Sequence, residues 1–456
     1  MDVTYRVGES AVVLGAGMAG LLAARVLSEF YASVTIVERD ALPDRPGHRK
    51  GVPQDRHLHA LLGRGVQVLS ELLPDVLDEM ADAGAVVLRD GDLSQIYARM
   101  GHWELARSGT VADPAALTLC LASRPFMEFY VRRQVATLPN VAVLDRHDLL
   151  ELRAGTEAVT GVHIVNRDNE LTTVLDADLV VDATGRAART PAFVERLGYG
   201  RPTEQRAPTA VGYSSQRFAV ADDAIGQRLV MANRGARHPS VLLSACEHDT
   251  WMLAVGRPLE SGGAPADFDE MLALADDVLP GSIGEGLRTA RPIGEIATFR
   301  NPTSIWRRYD RMERFPGGLL VMGDAQCSLN PIYGQGMTMA ALQAITLRDC
   351  LHDGRDELAR RFFAGSARTI GPVWARNQAN ERAPAAAGTR SMQARLRSRI
   401  VKGALIAAAK DAAVAERLLR VAHLIDPPER VNDPKLLTRI VAANARHHCS
   451  RLARRS

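Results

Sequence analysis

Apolar and polar positions near the N-terminus follow a β-α-β rhythm. Ser10 to Gly15 is a short β-rich run, Met18 to Phe30 has the Leu and Ala content of a helix, and Ser33 to Glu38 reads as a second buried strand. From Gly47 to Leu62 the chain turns polar and basic. Gly65 to Met80 then carries apolar residues at helical spacing (Val66, Leu69, Leu72, Leu73, Leu77), which predicts a helix. Pro125 to Leu138 predicts another helix and Val141 to Leu144 a strand. Val159 to Val165 with Val174 to Val181 predicts a hairpin ending in a buried strand, and these elements are expected to rejoin the first sheet.

Between about Ala207 and Arg300 the pattern changes to alternating β-branched and aromatic segments, such as Thr209 to Phe218, Val241 to Cys246 and Trp251 to Val255. That alternation predicts a separate, largely antiparallel sheet. Gly317 and Gly318 introduce a buried strand, Leu319 to Met322, followed by Gly323-Asp324, a loop, and the helix-like Gly336 to Leu351, which returns the chain to the first domain. From about Pro372 onward Ala, Leu and Arg predict helices, interrupted by Pro427-Pro428 and Pro434.

Composition narrows the class. With 456 residues, 46% hydrophobic and 24% charged, the chain suits two or three packed units of an ordinary globular protein. The formal charge is +3 and basic residues are interspersed with acids, so no nucleic-acid partner is implied. Cys120, Cys246, Cys327, Cys350 and Cys449 lie far apart, as reduced structural thiols do. The apolar stretch Ala11 to Leu27 lacks a basic flank and is broken by glycines and Arg25; no integral membrane segment is expected, and the expected compartment is the cytoplasm. His57 and His59 have no third ligand at local spacing, so no metal is expected.

Within the β-α-β unit, Gly15-Ala16-Gly17-Met18-Ala19-Gly20 is a Gly-x-Gly-x-x-Gly between strand and helix. Gly15 permits the tight turn, Gly17 lets the backbone approach a pyrophosphate, and Gly20 allows close helix-strand packing. Met18 and Ala19 open the helix whose unpaired amides meet the anion. Glu38 ends the next strand where an acceptor for a ribose hydroxyl is needed, and Arg39 follows it. This is a Rossmann-like dinucleotide fingerprint that does not by itself divide FAD from NAD; the alternative is a packing device.

Two distant segments divide them. Asp324 directly follows the strand Leu319 to Met322, where a carboxylate can accept from a cofactor ribose. The loop Asn330-Pro331-Ile332-Tyr333-Gly334-Gln335-Gly336-Met337 opens a helix whose N-terminus would stabilise negative charge on a reduced flavin. A polar-capped strand-to-helix connection is the alternative reading.

These segments resemble the flavoprotein monooxygenases related to aromatic hydroxylases and squalene epoxidase, and most closely the bacterial polyene epoxidase-like enzymes of polyether biosynthesis. Arg49-Lys50-Gly51-Val52 looks like the Arg-x-Gly-Val that runs beside the flavin in aromatic hydroxylases, and the continuation Pro53-Gln54-Asp55-Arg56-His57-Leu58-His59 is similar to the epoxidase-like branch. Arg124, in Ser123-Arg124-Pro125, occupies the place of a family arginine that contacts the cofactor, a surface arginine at a helix start being the alternative. The chain departs from the hydroxylases at Thr184, where they carry an acid before the glycine matched by Gly185, and at Cys327, where a histidine is common.

The resemblance implies FAD, transient reduction by NADPH or NADH, and reaction with O2 at flavin C4a. The resulting hydroperoxide would epoxidise or hydroxylate a small, largely apolar substrate: a polyene, an isoprenoid or an aromatic. The expected fold is α/β: a Rossmann-like FAD-binding domain (1–206 and 301–371, with part of the substrate region near 85–115), a largely antiparallel β-sheet substrate domain (207–300) and C-terminal helices (372–456). Tyr213, Arg217 and Trp251 are candidates for the substrate pocket, or equally core aromatics and an edge charge; no residue is assigned a catalytic role, and the oligomeric state is not readable. The rivals are a flavin-dependent reductase of isoprenoid double bonds and a non-catalytic flavin or lipid-binding protein whose helices from Arg395 to Ala422 dock on a membrane or partner. A halogenase is disfavoured, since its Trp-x-Trp-x-Ile-Pro segment is missing.

Overall fold

The computed structural model describes residues 6–453 apart from 60, 210, 222, 236–237, 300–302 and 383–391, and describes no side chain for 382, 392–398 or 446–453. The chain opens with β1 (Gly8–Leu14), α1 (Met18–Leu27) and β2 (Tyr31–Val37). The long helix expected over 65–80 is instead two, α2 (Gly63–Leu72) and α3 (Val76–Asp82), because Pro74 between them cannot donate a helical hydrogen bond. Next come β3 (Val86–Leu88), β4 (Ile96–Met100), β5 (Trp103–Glu104), β6 (Leu119–Leu121), α4 (Arg124–Ala136) and β7 (Val141–Leu144).

After β8 (His147–Ala154) and β9 (Val159–Asn166), the single strand expected over 174–181 is divided into β10 (Thr172–Asp176) and β11 (Leu179–Asp182). Of the four strands β8 to β11 only β11 joins the first sheet, whose order is β19-β11-β1-β2-β7 once β19 (Leu319–Val321) is added; β8, β9 and β10 form a sheet of their own. All pairings of the first sheet are parallel. Its strands read as apolar runs because both faces are covered. On one face Leu21, Leu22, Leu27 and Phe126 pack with Val13 and Ile36, and on the other Val162, Ile164 and Phe193 pack with Val12, Leu14 and Val180. Each fully buried Leu contributes about 2 kcal/mol of transfer free energy to that layer.

The middle of the chain supplies α5 (Thr190–Arg196), β12 (Glu204–Pro208), β13 (Val211–Ala219), β14 (Leu229–Asn233), β15 (Ser240–Ala245), β16 (Thr250–Pro258), α6 (Phe268–Asp276), α7 (Gly281–Leu287), β17 (Arg291–Phe299) and β18 (Thr303–Arg307). Seven strands form one sheet in the order β17-β13-β16-β15-β14-β4-β5. The sheet is antiparallel except where β14 pairs parallel with β4, so the segment near 96–104 joins this sheet. One face, carrying Phe218, Trp251, Leu253 and Tyr97, is sealed by Met271 and Ile283 from α6 and α7.

After β19 come β20 (Cys327–Ser328), α8 (Gly336–His352), α9 (Leu358–Arg382), α10 (Met392–Ala408), α11 (Ala412–Ala422) and α12 (Pro434–Ala453). Residue 372, where composition suggested a boundary, lies inside α9. The helices α10 to α12 bury Ala404, Ala407, Leu419 and Ile440 against Leu93, Ala98 and Leu117, which is the packing role their Ala and Leu spacing allows. No helix among the described residues is long and apolar enough to cross a membrane.

Candidate functional site

The glycine turn between β1 and α1 is built by contacts that exclude side chains. Gly15 has φ +99°, and a Cβ there would lie 2.7 Å from the Ala183 carbonyl oxygen; a Cβ on Gly20 would lie 1.8 Å from the Gly15 carbonyl oxygen. Gly17 differs, for its Cβ would meet nothing closer than Glu128 Oε1 at 3.8 Å and Arg124 Nη2 at 3.9 Å. The open side of the turn therefore faces a charged cluster at the N-terminus of α1, where Met18 presents its amide.

Glu38, at the end of β2, is buried and accepts from the Ala16 N–H through Oε2 (2.7 Å) and the Asp40 N–H through Oε1 (2.9 Å). Arg49 is buried against it: Nη1 donates to Glu38 Oε2 (3.2 Å), and Nη2 donates to Glu128 Oε2 (2.7 Å) and the Ala16 carbonyl (3.3 Å). Two acids pin the loop that carries Arg49. Asp55 accepts from the Arg49 N–H (2.8 Å) and contacts His48 Nδ1 (2.9 Å), while Asp40 accepts from the Gly51 N–H (2.6 Å). Arg39 does not join this cluster: its side chain is exposed and reaches only Asp40, at 4.0 Å, because the residue after the strand end points to the opposite side. Lys50 is exposed as well.

Arg124 opens α4 after the N-cap residue Ser123. Its Nε and Nη2 donate to Glu128 Oε1, both at 2.8 Å, one helical turn away. Burial raises the Glu128 pKa, but Arg124 and Arg49 outweigh it and hold the carboxyl below its ordinary range. Glu128 was not among the residues singled out in the sequence, although its spacing of four from Arg124 was a usable signal.

Asp324 follows β19 through Gly323, whose φ of +66° makes the sharp exit, and the Gly323 N–H donates to Gln343 Oε1 (2.7 Å). The Asp324 carboxylate accepts no hydrogen bond from the described residues; burial raises its pKa, against Arg124, Arg186 and Arg307. Beyond it, Asn330 caps the turn Pro331–Tyr333, Gly334 takes the left-handed conformation (φ +61°), and α8 starts at Gly336, with Met337 buried in the core. This loop is held from behind by α9: Asn377 Nδ2 donates to Gln335 Oε1 (2.8 Å), and Asn330 Nδ2 donates to Glu381 Oε1 (2.9 Å).

The sheet register decides the pocket candidates. Residues paired directly across the strands share a face, so Ser215, Ala254, Leu242, Met231 and Ala98 form one row on the face opposite α6 and α7. Tyr213 and Arg217 share that face, but Trp251 does not: it lies opposite Phe218 in the core beneath α6, so it is not a pocket residue. Arg217 is engaged by Glu247 (2.8 Å) and Thr250 Oγ1 (3.0 Å). Tyr213 stacks on Phe299 at 4.9 Å, and the buried His57 meets it edge-on at 5.0 Å with Nδ1 3.1 Å from Ser215 Oγ. Burial lowers the His57 pKa to about 4, which leaves the ring neutral near pH 7.

Thr184 does not stand in for the acid of the hydroxylases. Its N–H (2.9 Å) and hydroxyl (2.6 Å) donate to Asp182 Oδ1, a closed turn. Among the described side chains, no group of three or more His, Cys, Asp or Glu is placed to hold a metal. Cys120, Cys246, Cys327 and Cys350 are free and buried, and burial pushes the Cys120 thiol up to about 12; the Cys449 side chain lies outside the described residues.

The cluster fits FAD on its own terms: a Rossmann turn open at Gly17, two arginines at the N-terminus of α1, and at Asp324 a half-buried carboxylate that accepts no hydrogen bond from the described residues. The model of the FAD binding domain matches residues 9–353. The chain belongs to that family. Its cofactor is FAD. Protein Rv3254 of Mycobacterium tuberculosis is 38% identical over 463 residues, covering 97% of this chain and 96% of its own length. Kynurenine 3-monooxygenase of Salinispora tropica is 27% identical over 364 residues, 75% of this chain and 72% of its own. Two solved structures share the fold at a TM-score of 0.63. They are p-nitrophenol 4-monooxygenase PnpA of Pseudomonas putida (16% identity, 92% of this chain and 99% of that one) and the myxobacterial chondrochloren halogenase CndH (18% identity, 93% and 98%).

Proposed function

We propose that this FAD-binding protein is a monooxygenase that uses NADH or NADPH and O2 to place one oxygen atom on a small, largely apolar molecule, by epoxidation of an alkene or hydroxylation. The observation that carries the substrate class is the row Ala254, Leu242 and Met231, half-buried apolar side chains that continue from the His57–Ser215 contact along the sheet face opposite α6. A wall of that kind recognises shape and apolar area, with one neutral donor or acceptor at its end.

Bound FAD supplies the electron transfer and oxygen activation. The chain's own residues hold and shield it. In this reading Arg49, Arg124 and the amides of Met18 and Ala19 hold the diphosphate, Glu38 and Asp324 accept from sugar hydroxyls, and the N-terminus of α8 stabilises negative charge on the flavin ring. Gly334 and Gly336 let backbone come close, and Pro331 fixes the start of the turn before them. Kynurenine 3-monooxygenase and p-nitrophenol 4-monooxygenase, by their names, oxygenate aromatic molecules, which supports the reaction class. The resemblance of the Pro53 to His59 string to the epoxidase-like branch favours alkenes within it.

The test follows NAD(P)H oxidation and O2 uptake by the purified holoprotein against polyenes, isoprenoids and phenols, with hydrogen peroxide measured as uncoupling. Substrate-dependent O2 uptake with an oxygenated product is expected. A saturated product without O2 uptake would identify a reductase instead, and acceleration by none of the three classes would sink the proposal.

A further inference from the structure

Arg49 and Arg124 come from different segments, yet they converge on one buried carboxylate. Glu128 Oε2 accepts from Arg49 Nη2 at 2.7 Å, and Glu128 Oε1 accepts from Arg124 Nε and Nη2 at 2.8 Å and, more loosely, from the Met18 N–H at 3.4 Å. Both oxygens are occupied, and the carboxylate relieves the repulsion that the buried Arg49 and half-buried Arg124 guanidiniums would otherwise feel.

On its other flank Arg124 meets His59. The distance from His59 Nδ1 to the His57 carbonyl oxygen is 2.9 Å, and a carbonyl can only accept, so Nδ1 carries the hydrogen. A neutral ring then has its lone pair on Nε2, 3.4 Å from Arg124 Nη1, where it accepts. The ring stays neutral because burial, and next the Arg124 charge, lower its pKa to about 3. The two histidines singled out in the sequence thus act in series: the backbone of His57 fixes the tautomer of His59, and His59 meets one edge of Arg124.

Resting on the reading of Arg49 and Arg124 as diphosphate ligands, we propose that Glu128 and His59 are positioning residues that aim these guanidiniums at the FAD diphosphate over the N-terminus of α1. The donor count leaves room for this role. Arg124 spends Nε and one N–H of each Nη on Glu128 and His59, and Arg49 spends one N–H of Nη1 and both of Nη2 on Glu38, Glu128 and the Ala16 carbonyl. Each guanidinium keeps N–H groups for a phosphate oxygen while its long side chain is already immobilised, so binding does not bear that entropy cost.

The test compares FAD with riboflavin, which has the same ring and no phosphate, by flavin fluorescence titration of the deflavinated full chain. In Glu128→Gln the FAD dissociation constant should rise roughly 10- to 100-fold while riboflavin binds as before. In His59→Phe it should rise less, again for FAD alone. His59→Phe should add nothing once Arg124→Gln is present, since His59 acts only through that guanidinium. Equal weakening of FAD and riboflavin, or FAD binding unchanged or tighter in Glu128→Gln, would overturn the proposal. If Glu128→Gln does not fold, His59→Phe with and without Arg124→Gln decides the matter. If Arg49→Gln and Arg124→Gln themselves leave FAD affinity unchanged, it is the assignment of the arginines that fails.

Discussion

Glu247, in the turn after β15, accepts twice from Ser123, from its backbone N–H and from its hydroxyl, each at 2.7 Å. The same carboxylate holds Arg217 of β13 at 2.8 Å. The seven-stranded sheet is thereby fastened to the first turn of α4, next to Arg124. Replacing Glu247 with Gln removes the charge and one acceptor oxygen from a buried site, at a cost of about 1–3 kcal/mol. A lower melting temperature and faster FAD release are expected together in Glu247→Gln; a melt and a release rate identical to the parent would show that the contact does not couple the two layers.

The glycines of the turn should separate into two kinds. Gly20→Ala sets a methyl 1.8 Å from a backbone oxygen, which cannot move aside, so the variant should be insoluble or strongly destabilised with or without FAD. Gly17→Ala finds 3.8 Å of room, so it should fold like the parent and lose FAD affinity alone. Melting curves with and without added FAD distinguish these outcomes, and a Gly17→Ala protein that binds FAD normally would count against close diphosphate approach at that turn.

Much of this was legible in the chain because its signals are local. The β1-α1-β2 unit shows its period and its glycines within some thirty residues, and Asp324 shows itself by following a buried strand. What was not legible depends on register and distance. Trp251 and Tyr213 both read as strand aromatics, and only the pairing of Trp251 with Phe218 puts one in the core beneath α6 and the other beside His57. Glu128, Asp55 and Glu247 gain their meaning from partners 79, 6 and 124 residues away, respectively Arg49, the Arg49 amide and Ser123. The support that α9 gives the loop before α8 was hidden because composition placed a boundary at 372, inside the helix that carries Asn377.

Stability should fall on mild acidification. Burial lowers the pKa of His57 to about 4 and of His423 to about 4, below the ordinary 6.5. Below pH 6.5 the unfolded chain takes up protons at these positions and the folded chain does not, so stability is full above that pH and declines as pH falls toward 4. Each residue contributes a slope of about 1.4 kcal/mol per pH unit in that window. Urea unfolding of the parent at several pH values, beside His423→Asn, should show the shallower decline in the variant. Equal slopes would contradict the assignment for His423, whose Nδ1 accepts from the Gly63 N–H at 3.1 Å.

Asn377→Ala removes the hydrogen bond to Gln335 that braces the loop before α8. A looser loop shields the flavin less well from water. Under the proposed function, NAD(P)H oxidation in this variant should release a larger share of hydrogen peroxide than in the parent, with FAD content unchanged. An unaltered peroxide yield would mean that α9 does not govern the loop.

The most direct test of the whole site is the visible absorption of the purified full chain after saturation with FAD and removal of the excess, for the parent and for Asp324→Ala. The parent should be yellow with one FAD per chain, and Asp324→Ala should be folded by its melting curve yet hold far less flavin. A folded parent that stays colourless after reconstitution would contradict the convergence of Gly17, Arg49 and Asp324 on one flavin nucleotide.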